Sequence, residues 1–379
     1  MRREIVEPRA GWRRKVEACG LTWHSAADEP YWNEGARYVL SAADAAALEA
    51  ATRELYQRFL DAGQYVIEQK LYVEFGIPAW CAPLIERAWA EEPPALNYGR
   101  FDLAYDGVSP PKLLEFNCDT PTSLLEAAVV QWDWKEDAAP RLDQFNGLHD
   151  ALVARWKEIA PRLPGLVHVT HIDDEGEDAV TAAYMRDIAR QAGIATAPIR
   201  IGDIGWSEPR RCFVDLEGRL IAALYHLYPW EWLAHEEFGP RIAESAEKTL
   251  WIEPIWKMLW SNKAILAVLH ALFPQHPNIL GARRDPPPTA QDYVRKPILA
   301  REGANVTLVR RGMIAAENPG EYGEEGYVWQ EYAPLFESDG VHAVIGAWSV
   351  DGEPAGVGIR EGGLITGNTS RFVPHVIAG

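Results

Sequence analysis

The stretch "KLLEFNCDTPTS" (112–123) sets an acid and an amide two residues apart, Glu115 and Asn117, at the end of an apolar run. Asp119, Thr120, Thr122 and Ser123 follow, so a predicted strand ends in a dense group of oxygen donors. Side chains two apart on a strand share a face, and Glu115 and Asn117 therefore point the same way. Just upstream, "NYGRFDLAYDG" (97–107) alternates, with Phe101, Leu103 and Tyr105 on one face and Arg100, Asp102 and Ala104 on the other. The turn chemistry of "DGVSPP" (106–111) lies between the two runs, which predicts a hairpin. In suitable register Arg100, Asp102, Glu115 and Asn117 converge on one patch. Magnesium prefers oxygen ligands and keeps waters and substrate phosphates in its shell, and a planar guanidinium beside it suits phosphate oxygens. The same residues also read as a solvated sheet face with ordinary ion pairs.

Outward from this hairpin the pattern alternates between helix and strand. Residues 41–63 show helical spacing with a Ser cap and a Gly stop, and the first ninety or so residues read as mainly helical. A helix is expected at "SLLEAAVVQWDWKED" (123–137). A βαβ unit is expected over 165–204: "GLVHVTHI", then the amphipathic "EDAVTAAYMRDIARQAG", then "APIRIGDI". "RCFVDLEGRLIAALYHL" (211–227) reads as a hairpin turning at Glu217-Gly218, and "HIDDEGED" (171–178) as a helix-entry loop. "SNKAILAVLHALF" (261–273) is a helix capped by Ser261 or Asn262, and the three prolines of "GARRDPPPTAQ" (281–291) make a loop. The rest, from 293 on, is rich in strands, beginning with a strand, a Gly-containing loop and a further strand over 293–317.

Bulk properties narrow the function classes. The 379 residues carry 37 Lys+Arg against 55 Asp+Glu, a formal net charge of −18. That argues against a nucleic-acid surface, which needs a basic stripe, and is compatible with a cationic substrate such as a polyamine. The four cysteines form no CxxC pair, which suits a reducing compartment. No apolar h-region opens the chain and no apolar run is long enough to span a bilayer, so a cytoplasmic protein without a membrane partner is expected. The 16 tryptophans are scattered and suit packing.

Two lysines extend the patch. Lys263 opens a helix, where backbone N–H groups favour an anion. Lys296 lies on a strand ahead of "AREGAN" (300–305), whose Gly303 allows close approach to a ligand and a flexible lid. Each alone also reads as a surface lysine; with the carboxylates they describe a nucleotide triphosphate site. "YVWQEYAPL" (327–335) could serve as a hinge whose backbone reads an adenine edge. His168 and His171 fall on opposite strand faces and make poor joint metal ligands, and "GEPAGVG" (352–358) lacks the strand–helix setting of a dinucleotide fingerprint.

These pieces, in this order, resemble the synthetase domain of the glutathionylspermidine synthase family. The likeness rests on "RFDLAYDG" (100–107), "LLEFNCDTPTSLLEAA" (113–128), "YPWEW" (228–232), "LWSNKAILAVLHALFP" (259–274), "RKPILAREGAN" (295–305), "WQEYAP" (329–334) and "GVGIRE" (356–361). The resemblance implies an ATP-grasp fold, α/β with a preceding pre-ATP-grasp-like domain, permuted as in eukaryote-type glutathione synthetase. The expected division is a mainly helical part (1–95), a substrate and metal lobe (96–250) and a nucleotide lobe (251–379).

By motif, Arg100 would steady the transferring phosphoryl group and Arg360 corresponds to an active-site arginine. Asp102, Glu115 and Asn117 would hold Mg2+. Lys263 and Lys296 would meet the phosphates of ATP, and the loop 301–305, with Glu302 and Gly303, would close over them. Glu302 matches a metal-binding glutamate in the glutathione-synthetase version of this loop. Trp329, Gln330, Glu331 and Tyr332 would line adenine, with Leu364, Ile365 and Thr366 in another nucleotide-contacting strand. Thr120 matches a glutathione-contacting serine, with Asp119, Thr122 and Ser123 beside it.

The implied reaction phosphorylates a carboxylate, on a peptide or amino acid, to an acyl phosphate that an amine then attacks; the amine is expected to be a polyamine in the family's manner. Two departures stand out: Pro229 in place of a substrate-contacting threonine, and Val344 in place of a polar residue. The resemblance is closest to short members without the amidase domain, so no hydrolase activity is expected. A nucleotide-binding protein that has lost ligation, acting as sensor or scaffold, is the alternative.

Overall fold

The computed structural model describes all residues except 27–28, 173–175, 289–290, 368–369 and 379. The parts of the predicted loops at 173–175 and 289–290 therefore lie outside the described residues. The hairpin forms as its alternation predicts: Tyr98–Ala104 pairs antiparallel with Lys112–Asn117, Arg100 opposite Asn117 and Asp102 opposite Glu115. A bulge follows Asp102, so that Leu103 faces Leu113. Bulges re-aim side chains and sharpen twist.

This hairpin is one edge of a six-stranded sheet. Val341–Val350 pairs with the free side of Tyr98–Ala104, then come Glu353–Gly362 and Arg371–Val373, with Phe336–Ser338 added to Val341–Val350. A five-stranded antiparallel sheet runs in the order Ala282–Arg283, Tyr327–Glu331, Tyr293–Pro297, Thr307–Arg310, Met313–Glu317. The stretch 293–317 thus holds three strands where two are expected. Arg311 and Gly312, both at positive φ, make the extra tight turn.

The βαβ unit is present: Val167–His171 and Thr196–Arg200 run parallel, joined by the helix Glu177–Gln191. The expected hairpin over 211–227 forms only at its tip, where Gly218 N–H donates to the Asp215 carbonyl at 2.9 Å and Val214 faces Leu220. Its second half, Ala223–Leu227, instead runs parallel between Val167–His171 and Leu250–Ile252. Every residue of that strand is buried, the condition of a central parallel strand covered on both faces.

The opening ninety residues carry strands as well as helices. Arg2–Ile5 and Ala36–Leu40 form a small sheet with His375–Ile377, ahead of the helices Ala42–Glu68 and Ala82–Glu91. Ser41 caps the first of these helices reciprocally: its hydroxyl accepts from Asp44 N–H at 3.1 Å, and the Asp44 carboxylate accepts from Ser41 N–H at 2.7 Å. The helix does not stop at Gly63 but continues to Glu68. Gly63 is there for contact: a Cβ would sit 2.7 Å from the Trp89 ring and 2.8 Å from Trp260 Nε1. The core beside it is aromatic, with Phe59 edge-on to Phe101, Phe116 and Trp260, and Trp260 against Trp256. Among the described residues no helix is long and apolar enough to cross a membrane.

Gly63→Ala should destabilise the protein by about 1–3 kcal/mol, because two indole rings must move to admit one methyl group. The check is the urea midpoint, with the slope unchanged if the loss is one of native packing.

Candidate active site

The two sheets meet at a cluster of buried charge. Lys296 Nζ, on a strand of the five-stranded sheet, donates to the Leu114 carbonyl of the hairpin at 2.9 Å and to Gln330 Oε1 at 2.8 Å. Gln330 Nε2 in turn donates to the Leu113 carbonyl at 2.8 Å. Lys263 Nζ lies 3.1 Å from Glu115 Oε2 and donates to the Ala300 carbonyl at 2.6 Å. Lys263 stands just ahead of the helix Ile265–Leu272, whose N-cap position is Ala264 without a side-chain cap, so neither Ser261 nor Asn262 caps it as expected; Asn262 Oδ1 takes Ala264 N–H at 2.9 Å in the turn before it.

Both lysines are more than nine-tenths buried, which excludes the surface-lysine reading. Burial pulls Lys296 down to about 8 against the opposing pull of Glu115. Burial alone would raise Glu115, but Lys263 and Lys296 outweigh it and hold its carboxyl at about 2.

Arg100 and Arg360 converge on Asp102. Arg100 Nε and one terminal nitrogen lie 2.6 and 3.1 Å from the two Asp102 oxygens, and Arg360 donates to Oδ2 at 2.9 Å. Arg100 also donates to the Thr122 carbonyl. Burial would lower the Arg100 pKa, but the Asp102 carboxylate more than compensates and raises it. Asn117 Nδ2 sits 3.3 Å from both Asp102 Oδ2 and Glu115 Oε1, between the two acids.

One position that sequence reading missed makes this possible. Gly346 faces Asp102 across the sheet, and a Cβ there would lie 2.6 Å from Arg100 Cδ. Trp348, opposite Arg100, supports the guanidinium at 5.8 Å.

Arg100, Asp102, Glu115, Asn117, Lys263, Lys296 and Arg360 line one cleft together with Asp119, Thr120, Thr122, Glu302, Gly303, Gln330, Glu331, Tyr332, Leu364, Ile365 and Thr366. The structure does not bring Trp329 or Ser123 to it. Trp329 packs beside Tyr327 on the other face of its strand, with ring centroids 6.1 Å apart, since neighbours on a strand point to opposite faces. Ser123, at positive φ, turns its hydroxyl to Tyr31 Oη at 3.2 Å. Leu364–Thr366 reach the cleft as irregular chain beyond the strand that ends at Gly362, not as a strand. Gly303, also at positive φ, lies so close to this chain that a Cβ would sit 2.5 Å from the Thr366 carbonyl oxygen.

Val294, Leu308, Leu335, Met258 and Val344 add an apolar wall. No local pattern marks them: Val294, Leu308 and Val344 lie on ordinary strands, Met258 on a short helix and Leu335 in the loop before Phe336–Ser338. Glu231 and Arg301 also line the cleft. Burial pushes the nearby Asp119 up to about 6, with Glu231 adding to the rise and His226 opposing it. Cys118 is raised to about 12 by burial and remains a thiol.

Among the described residues no group of three or more His, Cys, Asp or Glu is placed to hold a metal ion by itself. Two carboxylates and an amide within reach of each other suit a hard cation that completes its shell with phosphate oxygens and water. Lined by Arg100, Arg360, Lys263 and Lys296, the cleft can bind a polyanion.

Because burial brings Lys296 down to about 8, the affinity of the cleft for a polyanion such as inorganic triphosphate should fall as pH rises past 8, by up to tenfold per unit. Lys296→Arg, which stays charged, should remove that dependence; calorimetric titration from pH 6.5 to 9.5 reads both.

A family model described as "Glutathionylspermidine synthase preATP-grasp" matches residues 3–378. A protein of Haemophilus influenzae described as "Putative acid--amine ligase" is 39% identical over 359 residues, covering 91% of this chain and 90% of that protein. Trypanothione synthetase of Crithidia fasciculata is 29% identical over 84% of this chain, which spans only 53% of that longer protein. Among solved structures, a glutathione synthetase-like effector (GSS30) from Globodera pallida is similar at 9% identity and a TM-score of 0.48, over 86% of this chain and 88% of that one. With the family model spanning nearly every residue, the chain belongs to the glutathionylspermidine synthase family, an ATP-grasp family of carbon–nitrogen ligases.

Proposed function

We propose that the chain is an ATP- and magnesium-dependent ligase that joins a carboxylic acid, on an amino acid or short peptide, to an amine. The observation that carries this reading is the convergence of Arg100, Arg360, Lys263 and Lys296 with Asp102 and Glu115 on one cleft. A binding protein has no use for so costly a set of buried charges, whereas phosphoryl transfer needs positive charge preorganised around an in-line displacement.

In this reading an acid carboxylate oxygen attacks the terminal phosphorus of ATP, ADP leaves, and an acyl phosphate results. The amine nitrogen then displaces phosphate, the C–N bond forming as the C–O bond breaks and a proton departs from nitrogen. Lys263 and Lys296 hold the phosphate chain. Arg100 and Arg360, kept in place by Asp102, face the transferring group. Asp102, Glu115 and Asn117 are the residues that would hold magnesium, which when bound supplies further charge neutralisation. The loop 301–305 excludes water, which would hydrolyse the acyl phosphate.

The stretch 96–250 supplies the acid- and metal-facing residues and 251–379 the nucleotide-facing lysines, though Val341–Val350, Glu353–Gly362 and Arg371–Val373 complete the hairpin's own sheet; 1–95 serves as a mainly helical buttress. The apolar wall of Val294, Leu308, Leu335 and Val344 takes the adenine ring. The amine is a small molecule, with a polyamine the first candidate. The free cysteines suit a cytoplasmic site of action.

ADP should accumulate over many turnovers only when magnesium, ATP, an acid and an amine are all present, with no more than about one equivalent per site when the amine alone is withheld. Nucleotide binding without ADP release across a broad acid–amine panel would overturn the ligase reading. Glu115→Gln should lower turnover at least a hundredfold, measured well below the variant's melting point, and should also lower the melting temperature, because Lys263 and Lys296 lose the carboxylate between them. Gly346→Ala should lower kcat at least tenfold, since the added methyl displaces Arg100, with the KM for ATP nearly unchanged; steady-state kinetics separates the two.

A further inference from the structure

One buried carboxylate beside the active site takes no part in the reaction above. Glu361 follows Arg360 on the strand Glu353–Gly362 and points to the opposite face, since neighbours on a strand alternate. It is only 1% exposed, yet both its oxygens are well supplied with donors. Arg3 grips it with two nitrogens, Nε to Oε2 at 2.7 Å and a terminal nitrogen to Oε1 at 2.9 Å. Tyr38 Oη donates to Oε2 at 2.9 Å, and Asn33 Nδ2 to Oε1 at 3.1 Å. Arg3 lies on the first strand, Arg2–Ile5, and Tyr38 on its antiparallel partner, Ala36–Leu40. The small sheet at the start of the chain is thus clamped to the residue next to Arg360.

A buried ion pair is a weak device for stability alone, because apolar side chains of similar volume commonly do as well. Its better use is to select one arrangement among close alternatives, and the end of this strand has such an alternative. Val357 and Ile359 are fully buried and fix the facing of the strand's middle. Past Ile359 that task falls to Glu361, because the neighbours of Arg360 on its own face are Gly358 and Gly362, which have no side chain to pack. A shift of one residue turns each side chain to the other face. Here it would swing Arg360 out of the cleft toward the Arg3 guanidinium and carry Glu361 in among the phosphate-facing groups. Beyond Gly362 the chain runs irregularly to Leu364–Thr366, which line the cleft, so Glu361 also anchors the approach to that segment.

Resting on the ligase reading above, we propose that Arg3 and Glu361 are positioning residues: their buried pairing, completed by Tyr38 and Asn33, fixes the strand end and so holds Arg360 on Asp102, facing the terminal phosphate of ATP. They touch neither nucleotide nor substrate and act through Arg360, whose terminal nitrogen lies 2.9 Å from Asp102 Oδ2.

The test compares ADP with a non-hydrolysable ATP analogue, each with magnesium, by calorimetric titration of the full chain. In the ligase reading Arg360 faces the group that ADP lacks. Arg3→Gln should therefore weaken binding of the analogue by about threefold to tenfold while ADP binding stays nearly unchanged. Tyr38→Phe, which removes a single hydroxyl, should give a smaller loss of the same kind, and Arg3→Lys should recover part of the loss seen in Arg3→Gln. In the Arg360→Gln background Arg3→Gln should cost nothing further, the signature of a residue that acts through another.

Equal losses for both nucleotides, no loss in Arg3→Gln, or a loss that adds to that of Arg360→Gln overturns the proposal. Melting curves establish that each variant is folded at the titration temperature; if Arg3→Gln is not, Tyr38→Phe takes its place in the same cycle with the same expected outcome. A parent protein that binds neither nucleotide sinks the ligase reading itself, whereas intact binding of both with no selective loss sinks only this inference.

Discussion

Glu115, clasped between Lys263 and Lys296, joins three pieces of chain that are far apart in sequence: the hairpin strand, the turn before Ile265–Leu272, and a strand of the five-stranded sheet. Taking such charges out of water costs several kcal/mol per ion in real proteins, and the cost is recovered only with good pairing and full hydrogen bonding. Lys296 meets that demand with the Leu114 carbonyl and Gln330, and Lys263 with the Ala300 carbonyl. The two sheets are thus held at the point where the chemistry is proposed. Losing one partner would strand the others in a poorly solvated place, so docking and charge placement stand or fall together.

The same economy governs the second charged cluster. Asp102 takes both Arg100 and Arg360, and the bulge after Asp102 together with the bare backbone at Gly346 lets Arg100 lie flat over the sheet. At one end of the cleft Arg100, Arg360, Lys263 and Lys296 gather around Asp102 and Glu115. A protein of net charge −18 therefore carries a locally positive cluster, which favours an anion where the rest of the surface would repel it.

The departures from the family pattern have local explanations. Pro229 precedes the short helix Trp230–Leu233, where a fixed φ suits the entry, and the Trp230 N–H behind it is spent on Asp119. Val344 belongs to the apolar wall of the cleft.

Much of this was legible in the residues. The alternation of 97–117 set the hairpin and the common face of Arg100, Asp102, Glu115 and Asn117, because strand period and turn chemistry are local properties. The βαβ unit over 165–204 and the Ser41 cap followed for the same reason, and the ordered motifs identified the family. Long-range pairing was not legible. That Ala223–Leu227 would enter a parallel sheet, that Val341–Val350 would flank the hairpin with Gly346 beneath Arg100, and that Gly63 would face two indoles all depend on partners outside the local sequence window. Trp329 and Ser123 fell outside the cleft through strand facing and a left-handed turn that motif matching does not register. The chain alone determined which charged and polar groups exist and which neighbours share a face. Only tertiary structure decided which distant groups are buried together, because burial, and with it the need for each charge to find a partner, is a property of the packed whole.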